Sequence, residues 1–515
     1  MSFNSNLPKL FNAADYFVDR NIREGRADKL AVICENRRFT YGQIQAGMNR
    51  IGNGLRSLDV RMEERVALLL LDTEVYPQAF FGAIKIGAVP ICLNTLMRPK
   101  DYAYFLNDSR ARVLIVDHSL LPTIEAIKSQ LTFLEHVIVV GGGEGAGEIP
   151  LVKWMAAQSE ILELAPTTPD DPCFWLYSSG STGLPKGTVH LQHDMVVAAE
   201  TYGHQVLKVT ESDVCFSAAK LFFAYGLGNG LYFPFSVGAT AVYHPDRPTY
   251  DAMYATIARH QPTIFFGVPT LFGSMLAEEG DLGRVRVCVS AGEALPPQIL
   301  KRWKTRFGVG IMDGIGSTEL AHIFISNRVD DMRPGSTGKL VPGYEARIVD
   351  HAFHDVPDGE IGTLLIKGDS SAAFYWNKHE KTKTTMLGEW LNTDDKFFRD
   401  PDGYFFYVGR SNDMLKVGGI WVSPIEVEAC IMEHPDVLEC AVVGAPDHEN
   451  LIKPKAFVVL KNGSQQSEDL ASEIKAYVKE KLAHYKYPRW VEFVPDLPKT
   501  PTGKIKRFIL SEMAT

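Results

Sequence analysis

Residues 177–187 have the composition of a segment that holds phosphate oxygens. They read Tyr-Ser-Ser-Gly-Ser-Thr-Gly-Leu-Pro-Lys-Gly, which combines glycines, hydroxyl side chains and a lysine. Glycine lets backbone N–H groups approach a ligand, while the hydroxyls and the ammonium group add donors. Gly187 and Thr188 follow Lys186, so this is not a Walker A loop. Because the apolar run 173–177 predicts a buried strand leading into this segment, we interpret it as a phosphate-binding loop.

Two further segments place small and polar residues directly after apolar runs. Residues 291–294 follow the run 287–290, and residues 313–319 follow the run 310–312. Ligands of open α/β sheets bind beyond the carboxyl ends of the strands. We therefore expect both segments to converge with residues 177–187 on one site.

Strand-like and helical patterns alternate along most of the chain, which predicts an α/β fold. The large N-terminal domain, residues 1–409, is expected to hold mixed, largely parallel sheets with helices, its first long helix capped by Thr40 and Gln43. Residues 410–515 have their own alternation and predict a small, mobile α+β domain, with a hinge near 410–413. Strands are expected at 31–34, 66–71, 89–93, 113–116, 137–140, 441–443, 456–460 and 490–494, and a helix at 468–482.

The composition excludes several classes of protein. A formal net charge of -9 argues against nucleic-acid or anionic-membrane partners. The seven cysteines show neither a CxxC pair nor metal-ligand spacing, which is typical of reduced, buried thiols. Residues 1–17 lack a secretory signal, and the apolar runs are too short to span a bilayer. We expect a cytoplasmic protein, either a monomer or a homodimer.

Four motifs occur in the order and spacing typical of one superfamily. They are residues 177–187, residues 315–319, the pattern Gly409-Arg410-x-x-Asp413-x-x-Lys416-x-x-Gly419, and residues 498–505. With them, nearly the whole chain resembles the adenylate-forming superfamily of acyl-CoA synthetases, luciferases and peptide-synthetase adenylation domains. Segments 220–228 and 313–324 look most like those of benzoate–CoA ligases.

The resemblance implies a two-step ligase that uses ATP, Mg²⁺ and coenzyme A. A carboxylate first attacks the α-phosphate and releases pyrophosphate, so the site needs cations and donors where charge accumulates. The thiol of CoA then displaces AMP. Lys504 is expected to act in the first step and to leave when the small domain rotates, bringing in Lys416 for the second.

The resemblance also assigns roles to individual residues. The residues expected to bind the β- and γ-phosphates are Ser178, Ser179, Gly180, Ser181, Thr182, Gly183 and Lys186. Glu319 is expected to bind Mg²⁺. Adenine is surrounded by Gly292, Glu293, Ala294, Asp313, Gly314 and Ile315, with Gly316, Ser317 and Thr318 also at the nucleotide and Asp395 and Arg410 at the ribose. Val417, Gly418 and Gly419 pass the pantetheine arm, and Asn412 and Asp413 form the hinge.

The chain departs from the family pattern at three positions. Asp394 stands where the family usually has glycine, which leaves the geometry of that turn open. Ile315 stands near a position where many relatives carry tyrosine, so apolar contact is expected to replace stacking. Asn412 replaces the usual Asp or Lys of the hinge.

The acid to be activated depends on a slot in which we place Ala224, Tyr225, Gly226, Gly316, His322 and Ile323. These residues predict a small, flat, mostly apolar space that fits benzoate, although segment 220–228 considered alone is more typical of core packing. An amino-acid ammonium group would lack an acidic partner, and a fatty acid would lack a deep channel. Hydroxybenzoate is the nearest alternative, since Tyr225 and His322 could hydrogen-bond a ring hydroxyl. An apolar pocket discriminates between such analogues by only about 10²-fold.

Two other classes of function stay open. An adenylation module that loads a carrier protein is less favoured because no carrier-serine motif follows residues 498–505. A nucleotide-binding sensor would require broken catalytic residues, but Lys186, Glu319 and Lys504 are all present.

Overall fold

The computed structural model describes residues 7–142, 147–180, 183–410, 413–417, 420–448, 451–461, 463–499 and 505–514. Its first strands are β1 (Leu30–Cys34), β2 (Arg37–Thr40), β3 (Arg65–Leu69), β4 (Val89–Cys92), β5 (Val113–Asp117), β6 (His136–Val140), β7 (Ile149–Pro150), β8 (Pro172–Gly180) and β9 (Gly183–Leu191). There follow β10 (Val214–Ser217), β11 (Thr240–Tyr243), β12 (Ile264–Gly267), β13 (Val287–Ser290), β14 (Ile311–Gly316), β15 (Ile323–Ser326), β16 (Lys339–Leu340), β17 (Glu345–Val349) and β18 (Gly362–Lys367). The last are β19 (Phe374–Tyr375), β20 (Met386–Leu387), β21 (Trp390–Arg399), β22 (Phe405–Arg410), β23 (Leu415–Val417), β24 (Ile420–Val422), β25 (Val437–Pro446), β26 (Ile452–Leu460) and β27 (Trp490–Phe493).

The α-helices cover the faces of these sheets. They are α1 (Arg20–Arg23), α2 (Tyr41–Ser57), α3 (Val75–Lys85), α4 (Pro99–Ser109), α5 (Leu121–Glu125), α6 (Leu151–Ala156), α7 (Asp194–Ala198), α8 (Ala224–Leu227), α9 (Phe233–Val237), α10 (Tyr250–His260), α11 (Pro269–Ala277), α12 (Pro297–Phe307), α13 (His379–Thr385), α14 (Pro424–Ile431), α15 (Glu468–Lys481) and α16 (Arg507–Ala514). π-Helical turns lie at Asp15–Asp19, Ala199–Val206 and Gly228–Tyr232, and 3₁₀ turns at His118–Leu120, Lys128–Gln130 and Thr318–Leu320.

Two large sheets carry the N-terminal domain. One has the order β16-β15-β14-β13-β12-β10-β11-β1-β2, with parallel pairing from β14 to β1, and the other has the order β19-β9-β8-β4-β3-β5-β6-β7. A smaller antiparallel sheet is formed by β17, β18, β20, β21 and β22. The strands after Arg410 form a smaller C-terminal domain, in which β23 pairs with β24 and β25-β26-β27 make a separate sheet. The predicted α/β class with a large and a small domain is confirmed.

The first long helix shows why the sequence pattern predicts this fold. At the start of α2, Gln43 N–H donates to Thr40 Oγ1 at 3.2 Å, and Thr40 N–H donates to Gln43 Oε1 at 2.9 Å. This reciprocal capping box satisfies two N–H groups that a helix start leaves open. The apolar face of the helix, Ile44, Met48, Ile51 and Leu55, is buried in the core that lies between the sheets.

Most of the segment 177–187, which the sequence indicates to be a loop, lies on strands β8 and β9. β8 and β9 form an antiparallel hairpin in which Tyr177 pairs with Gly187 and Ser178 with Lys186. Lys186 therefore lies on a strand, where its backbone is fixed by cross-strand pairing. The alternation typical of strands is hidden here because small polar residues occupy both faces.

None of the described helices is both long and apolar enough to cross a membrane. All seven cysteines are described, buried and free of disulfides.

Asp72 ties the segment 220–228 to the end of β3. Its Oδ1 accepts a hydrogen bond from Leu221 N–H at 3.2 Å, and its Oδ2 lies 3.9 Å from Lys220 Nζ. Lys220 also donates to the carbonyl of Asp246 at 2.6 Å. Burial raises the pKa of the Asp72 carboxyl to about 6, even though Lys220 opposes this.

This carboxyl predicts a pH-dependent contribution to stability. The folded pKa of Asp72 lies above its ordinary value of 3.8, so the folded state holds the proton more tightly. The stabilisation is complete below the unfolded pKa and is lost as the pH rises through about 6. Between about pH 5 and pH 7 the free energy of unfolding of the wild type should therefore decrease. In Asp72→Asn this decrease should be smaller by about 1 kcal/mol. Urea denaturation measures this, with the exposed Asp330→Asn as control, and superimposable pH profiles for wild type and Asp72→Asn would contradict it.

Candidate active site

Glu319 lies where the two large sheets meet. It stands in the 3₁₀ turn after β14, and its side chain is 14% exposed. Its Oε1 accepts hydrogen bonds from the Ser178 hydroxyl at 3.3 Å and the Tyr375 hydroxyl at 2.7 Å, and lies 3.7 Å from Lys186 Nζ. Burial raises the pKa of the Glu319 carboxyl, but Lys186, Tyr375 and Ser178 together outweigh burial and hold the pKa below its usual value.

Lys186 contributes the positive charge of this cluster. Its ammonium group lies over the ring of Tyr375, 4.3 Å from the centroid. Burial lowers the pKa of Lys186, and Lys381 and Arg410 lower it further while Glu319 acts against them. An ammonium group and hydroxyls beside a carboxylate can bind phosphate oxygens and a cation at the same place.

The donor set suits a magnesium ion that arrives with a nucleotide. Magnesium takes oxygen ligands and is usually held by one or two carboxylates together with substrate phosphates. In the described part of the chain no group of three His, Cys, Asp or Glu side chains could enclose a metal ion. The single carboxylate of Glu319, beside the hairpin expected to bind phosphate, matches that requirement.

The segment expected at the adenine lies next to this cluster. Asp313 on β14 is in register with Ser290 at the end of β13, just before residues 291–294. The Asp313 carboxyl accepts backbone hydrogen bonds from Leu295 and Gly314, and burial raises its pKa well above the usual value. Its Oδ1 has no hydrogen-bond partner among the described residues. A buried oxygen of this kind is suited to contact the amino group of a base.

The residues expected at the ribose are brought together by a strand pair. Asp395 on β21 is in register with Arg410 on β22, and Arg410 Nε lies 3.5 Å from Asp395 Oδ1. Asp394 has φ of 59°, in the left-handed region where glycine is favoured. Asp tolerates this region better than most residues, and here its N–H donates to Asn392 Oδ1 at 3.0 Å. Asp394 therefore makes the turn that the family usually makes with glycine.

Tyr225 and His322, two residues expected to line the slot, pack directly against each other, with ring centroids 5.6 Å apart. His322 Nε2 lies 3.2 Å from the Tyr225 carbonyl and 3.1 Å from Asn229 Oδ1. Both neighbours are acceptors, so Nε2 is assigned the proton. Burial lowers the pKa of His322 to about 3, so the imidazole is neutral at physiological pH.

The Tyr225 hydroxyl is already engaged by the protein. It donates to the carbonyls of Val289 at 2.9 Å and Gly267 at 3.2 Å, and burial raises its pKa well above the usual value. A hydroxyl has one proton, so Tyr225 cannot also donate to a ring hydroxyl. The oxygen of Tyr225 can still accept a hydrogen bond from a ring hydroxyl, so the hydroxybenzoate interpretation stays open at this residue.

The two glycines expected in the slot lie too close to neighbouring backbone atoms to be replaced by larger residues. A Cβ on Gly226 would lie 2.0 Å from the Lys220 carbonyl, and one on Gly316 would lie 2.5 Å from the His322 carbonyl. Ala224 is the first residue of α8 and is half-buried, and Ile323 on β15 is buried. Of the six slot residues, none carries an ionised side chain at neutral pH.

Several predicted residues lie outside the described part of the chain: Ser181, Thr182, Asn412, Gly418, Gly419 and Lys504. Only the backbone is described at Ser179, Gly180, Gly183 and Lys416, the last of these on β23 beside Val417. Asp413 N–H donates to the Arg410 carbonyl at 3.0 Å, at the start of the expected hinge. Lys499 and Ile505, which stand on either side of residues 500–504, form an antiparallel bridge.

Two residues at the site escaped the sequence interpretation. Tyr375 reaches Glu319 from β19, which pairs with β9 at the edge of its sheet. His190 reaches the Thr318 carbonyl from the end of β9, with Nε2 at 2.7 Å. No local pattern indicated either contact, because His190 lies on a strand and both partners come from distant parts of the chain.

The comparisons with known proteins find relatives along nearly the whole chain. Residues 18–376 match the model of the AMP-binding enzyme family, and residues 426–504 match that of the AMP-binding enzyme C-terminal domain. The chain is 53% identical to a benzoate–CoA ligase of Thauera aromatica, over 98% of this chain and 96% of that protein.

Two solved structures share the fold over nearly their whole length. The crystal structure of an anthranilate CoA ligase in complex with anthranoyl-AMP gives a TM-score of 0.96 at 47% identity, covering 99% of this chain and 98% of that one. A benzoate CoA ligase from Burkholderia xenovorans gives a TM-score of 0.91 at 48% identity, covering 97% of this chain and 100% of the other. The protein therefore belongs to the AMP-binding enzyme family of adenylate-forming acyl-CoA synthetases.

Proposed function

We propose that the protein is an AMP-forming benzoate–CoA ligase that uses ATP with Mg²⁺. The observation that carries the proposal is the pair of uncharged aromatic rings of Tyr225 and His322, the second of which follows Glu319 by three residues. A flat apolar acid would suit a pocket lined by such rings, and its carboxylate would then point toward the groups that hold the nucleotide. Identity to a benzoate–CoA ligase over almost the whole chain supports the same substrate.

In the first step a benzoate oxygen attacks the α-phosphorus of ATP, and the bond from that phosphorus to the pyrophosphate oxygen breaks. Negative charge develops on the transferred and leaving phosphates. Lys186 and the Ser178 hydroxyl hold phosphate oxygens, and Glu319 would hold the magnesium ion that neutralises them. Asp395 and Arg410 position the ribose, and the turn around Asp313 positions the adenine.

In the second step the CoA sulfur attacks the carbonyl carbon of benzoyl-AMP, and the bond to the AMP oxygen breaks. We place the domain boundary at residues 409 and 410 and the hinge at Asn412 and Asp413. Rotation there would withdraw Lys504 and bring Lys416 to the site. Val417, Gly418 and Gly419 would then line the path of the pantetheine arm, where glycine permits close passage. The buried free thiols support a reducing, cytoplasmic location.

A hydroxybenzoate is the second candidate substrate, and one observation favours it. His322 Nδ1 is buried and has no hydrogen-bond partner among the described residues. Because Nε2 carries the proton, Nδ1 is an acceptor and could receive a ring hydroxyl. The two solved relatives differ in ring substituent at nearly equal identity, so identity alone does not decide between substituents.

The proposal is tested by the products and by a panel of acids. Purified protein with benzoate, ATP, Mg²⁺ and CoA should release AMP and pyrophosphate and form benzoyl-CoA. The panel adds the hydroxybenzoates, anthranilate, cinnamate and acetate, with kcat/KM measured for each. Release of ADP and phosphate would rule out the adenylate route, and a higher kcat/KM for a hydroxybenzoate would replace benzoate as the substrate. Acyl transfer to a carrier protein but not to free CoA would indicate an adenylation module.

The Tyr375 hydroxyl is expected to matter for the first step. Tyr375→Phe removes a hydrogen bond to a charged carboxylate, an interaction of about 1.5–3 kcal/mol. We expect benzoate-dependent adenylation to fall at least about tenfold, while benzoyl-AMP supplied from outside is still converted to the thioester. Pyrophosphate exchange and thioester formation measure the two steps separately.

Tyr254→Phe is the matched control, because the Tyr254 hydroxyl donates to the buried Met275 carbonyl in a different core cluster. If Tyr375→Phe and Tyr254→Phe reduced adenylation equally, Tyr375 would have no special part at Glu319.

A further inference from the structure

The turn that carries Glu319 has an unfavourable backbone conformation. Ala321 has φ of 62°, in the left-handed region that a non-glycine residue rarely adopts, and it is 1% exposed. Such residues cost about 1–3 kcal/mol and persist only when neighbouring contacts hold them. The turn joins Glu319 to His322, so its shape sets the position of both the metal-binding carboxylate and the slot.

Each backbone carbonyl of this turn is held from outside it. The Glu319 carbonyl accepts from Ala372 N–H at 2.8 Å, and the Leu320 carbonyl from the Ser370 hydroxyl at 2.8 Å. The Ala321 carbonyl accepts from the Tyr232 hydroxyl at 3.2 Å. The Thr318 carbonyl, next to Glu319, is held by His190 Nε2 at 2.7 Å.

His190 differs from the other three donors because a carboxylate orients it. Its Nδ1 lies 2.6 Å from Asp194 Oδ2, and both side chains are completely buried. The ring stacks on Phe174, with centroids 4.8 Å apart and planes 11° from parallel. Asp194 Oδ2 also accepts Leu191 N–H at 3.1 Å. Since both ring nitrogens have a hydrogen-bond partner, the ring is held on both sides and its orientation is fixed.

We propose that His190, oriented by Asp194, is a positioning residue for adenylation, because it holds the Thr318 carbonyl and thereby places the Glu319 carboxylate for the magnesium-bound nucleotide. The inference rests on the proposed function and adds a residue to it. The hydrogen bonds of His190 go to Asp194 and to the Thr318 carbonyl, so we expect it to act through the turn. A displacement of about 1 Å in such a turn is enough to cost about 10²-fold in rate.

The test separates the two half-reactions in His190→Ala and His190→Gln. In His190→Ala, benzoate-dependent pyrophosphate exchange should fall about 10²-fold, with the KM for benzoate changed less than about twofold. Conversion of supplied benzoyl-AMP to the thioester should be retained, which also shows that the variant is folded. Because glutamine Nε2 can take the place of the imidazole Nε2, His190→Gln should recover about tenfold of the loss.

A matched control is available at His204. This histidine also bridges a carboxylate and an oxygen, Glu200 at 3.0 Å and Ser236 Oγ at 2.9 Å, but in a different part of the fold. His204→Gln should leave both half-reactions within about twofold. An equal loss of both half-reactions in His190→Ala, or full adenylation activity in that variant, would overturn the proposal.

A binding measurement keeps this test independent of the substrate. The rise in Tm produced by ATP with Mg²⁺ should be smaller in His190→Ala than in wild type, and the rise produced by AMP alone should be equal in the two. If wild-type protein failed to activate benzoate, the proposed function would be wrong, yet the Tm comparison would still decide on His190. Equal rises with ATP and Mg²⁺ would count against the positioning role.

Discussion

Replacing Lys504 with alanine is expected to slow formation of benzoyl-AMP by about 10²–10³-fold, which corresponds to about 3–4 kcal/mol of lost transition-state stabilisation. The resemblance places this lysine at the oxygens between the carboxylate and the α-phosphate, where charge develops only as the reaction proceeds. The affinities for ATP and benzoate should change much less, because the lysine is expected to stabilise the transition state more than the bound substrates. Pyrophosphate exchange measures the loss directly.

The second half-reaction makes this prediction specific. If the small domain rotates between the steps, the Lys504→Ala protein should still convert supplied benzoyl-AMP to benzoyl-CoA at nearly the wild-type rate. Lys506→Ala is the control, since that lysine stands on the same segment and its N–H donates to the Pro498 carbonyl. A parallel loss of both half-reactions would mean that Lys504 supports the fold or both steps, and the alternation of domains would have to be abandoned.

Arg507→Met is expected to lower the free energy of unfolding of the C-terminal domain by about 3 kcal/mol or more. Arg507 Nη2 donates to both carboxylate oxygens of Glu428, at 2.8 and 2.7 Å, and Glu428 also accepts Val442 N–H at 2.7 Å. Attraction to Glu428 raises the pKa of Arg507. Without the guanidinium group, Glu428, which is 8% exposed, would be left as a buried charge without its partner.

A double variant identifies the cause. Arg507→Met with Glu428→Gln removes both charges and keeps an amide oxygen for Val442 N–H, so most of the lost stability should return. Arg489→Met serves as control, since Arg489 stacks on the ring of Tyr487 at 3.9 Å. Urea denaturation followed by Trp490 fluorescence measures all variants. No recovery in the double variant would show that Arg507 acts through packing rather than charge.

The elements of the fold were predictable where the pattern is local. The capping box at Thr40 and the apolar face of α2 depend on neighbours three or four residues apart, so the sequence alone indicates them. The β8–β9 hairpin was predicted only in part, because small polar residues hide its alternation. The segments expected at the phosphates, the metal ion and the ribose were predicted from motifs, and the structure brings Ser178, Lys186 and Glu319 together.

The contacts made by Tyr375 and His190 could not be predicted in the same way. Tyr375 reaches Glu319 only because β19 is added at the edge next to β9, and His190 reaches Thr318 across the junction of two sheets. Strand order is a property of the whole fold, and the residue pattern of one strand does not determine its neighbours. His190 and Asp194 are close in sequence, but their partner is 128 residues from His190.

The contact between Lys186 and Glu319 imposes a condition on what can enter the site. Each charge already has its counterion, so an anion that bound Lys186 alone would strip Glu319 of its partner, and a cation that bound Glu319 alone would do the same to Lys186. Either exchange leaves one buried charge uncompensated, which is unfavourable. A ligand that carries both signs together satisfies both partners at once. We therefore expect the site to bind the nucleotide together with its cation in preference to free inorganic phosphate or a free metal ion.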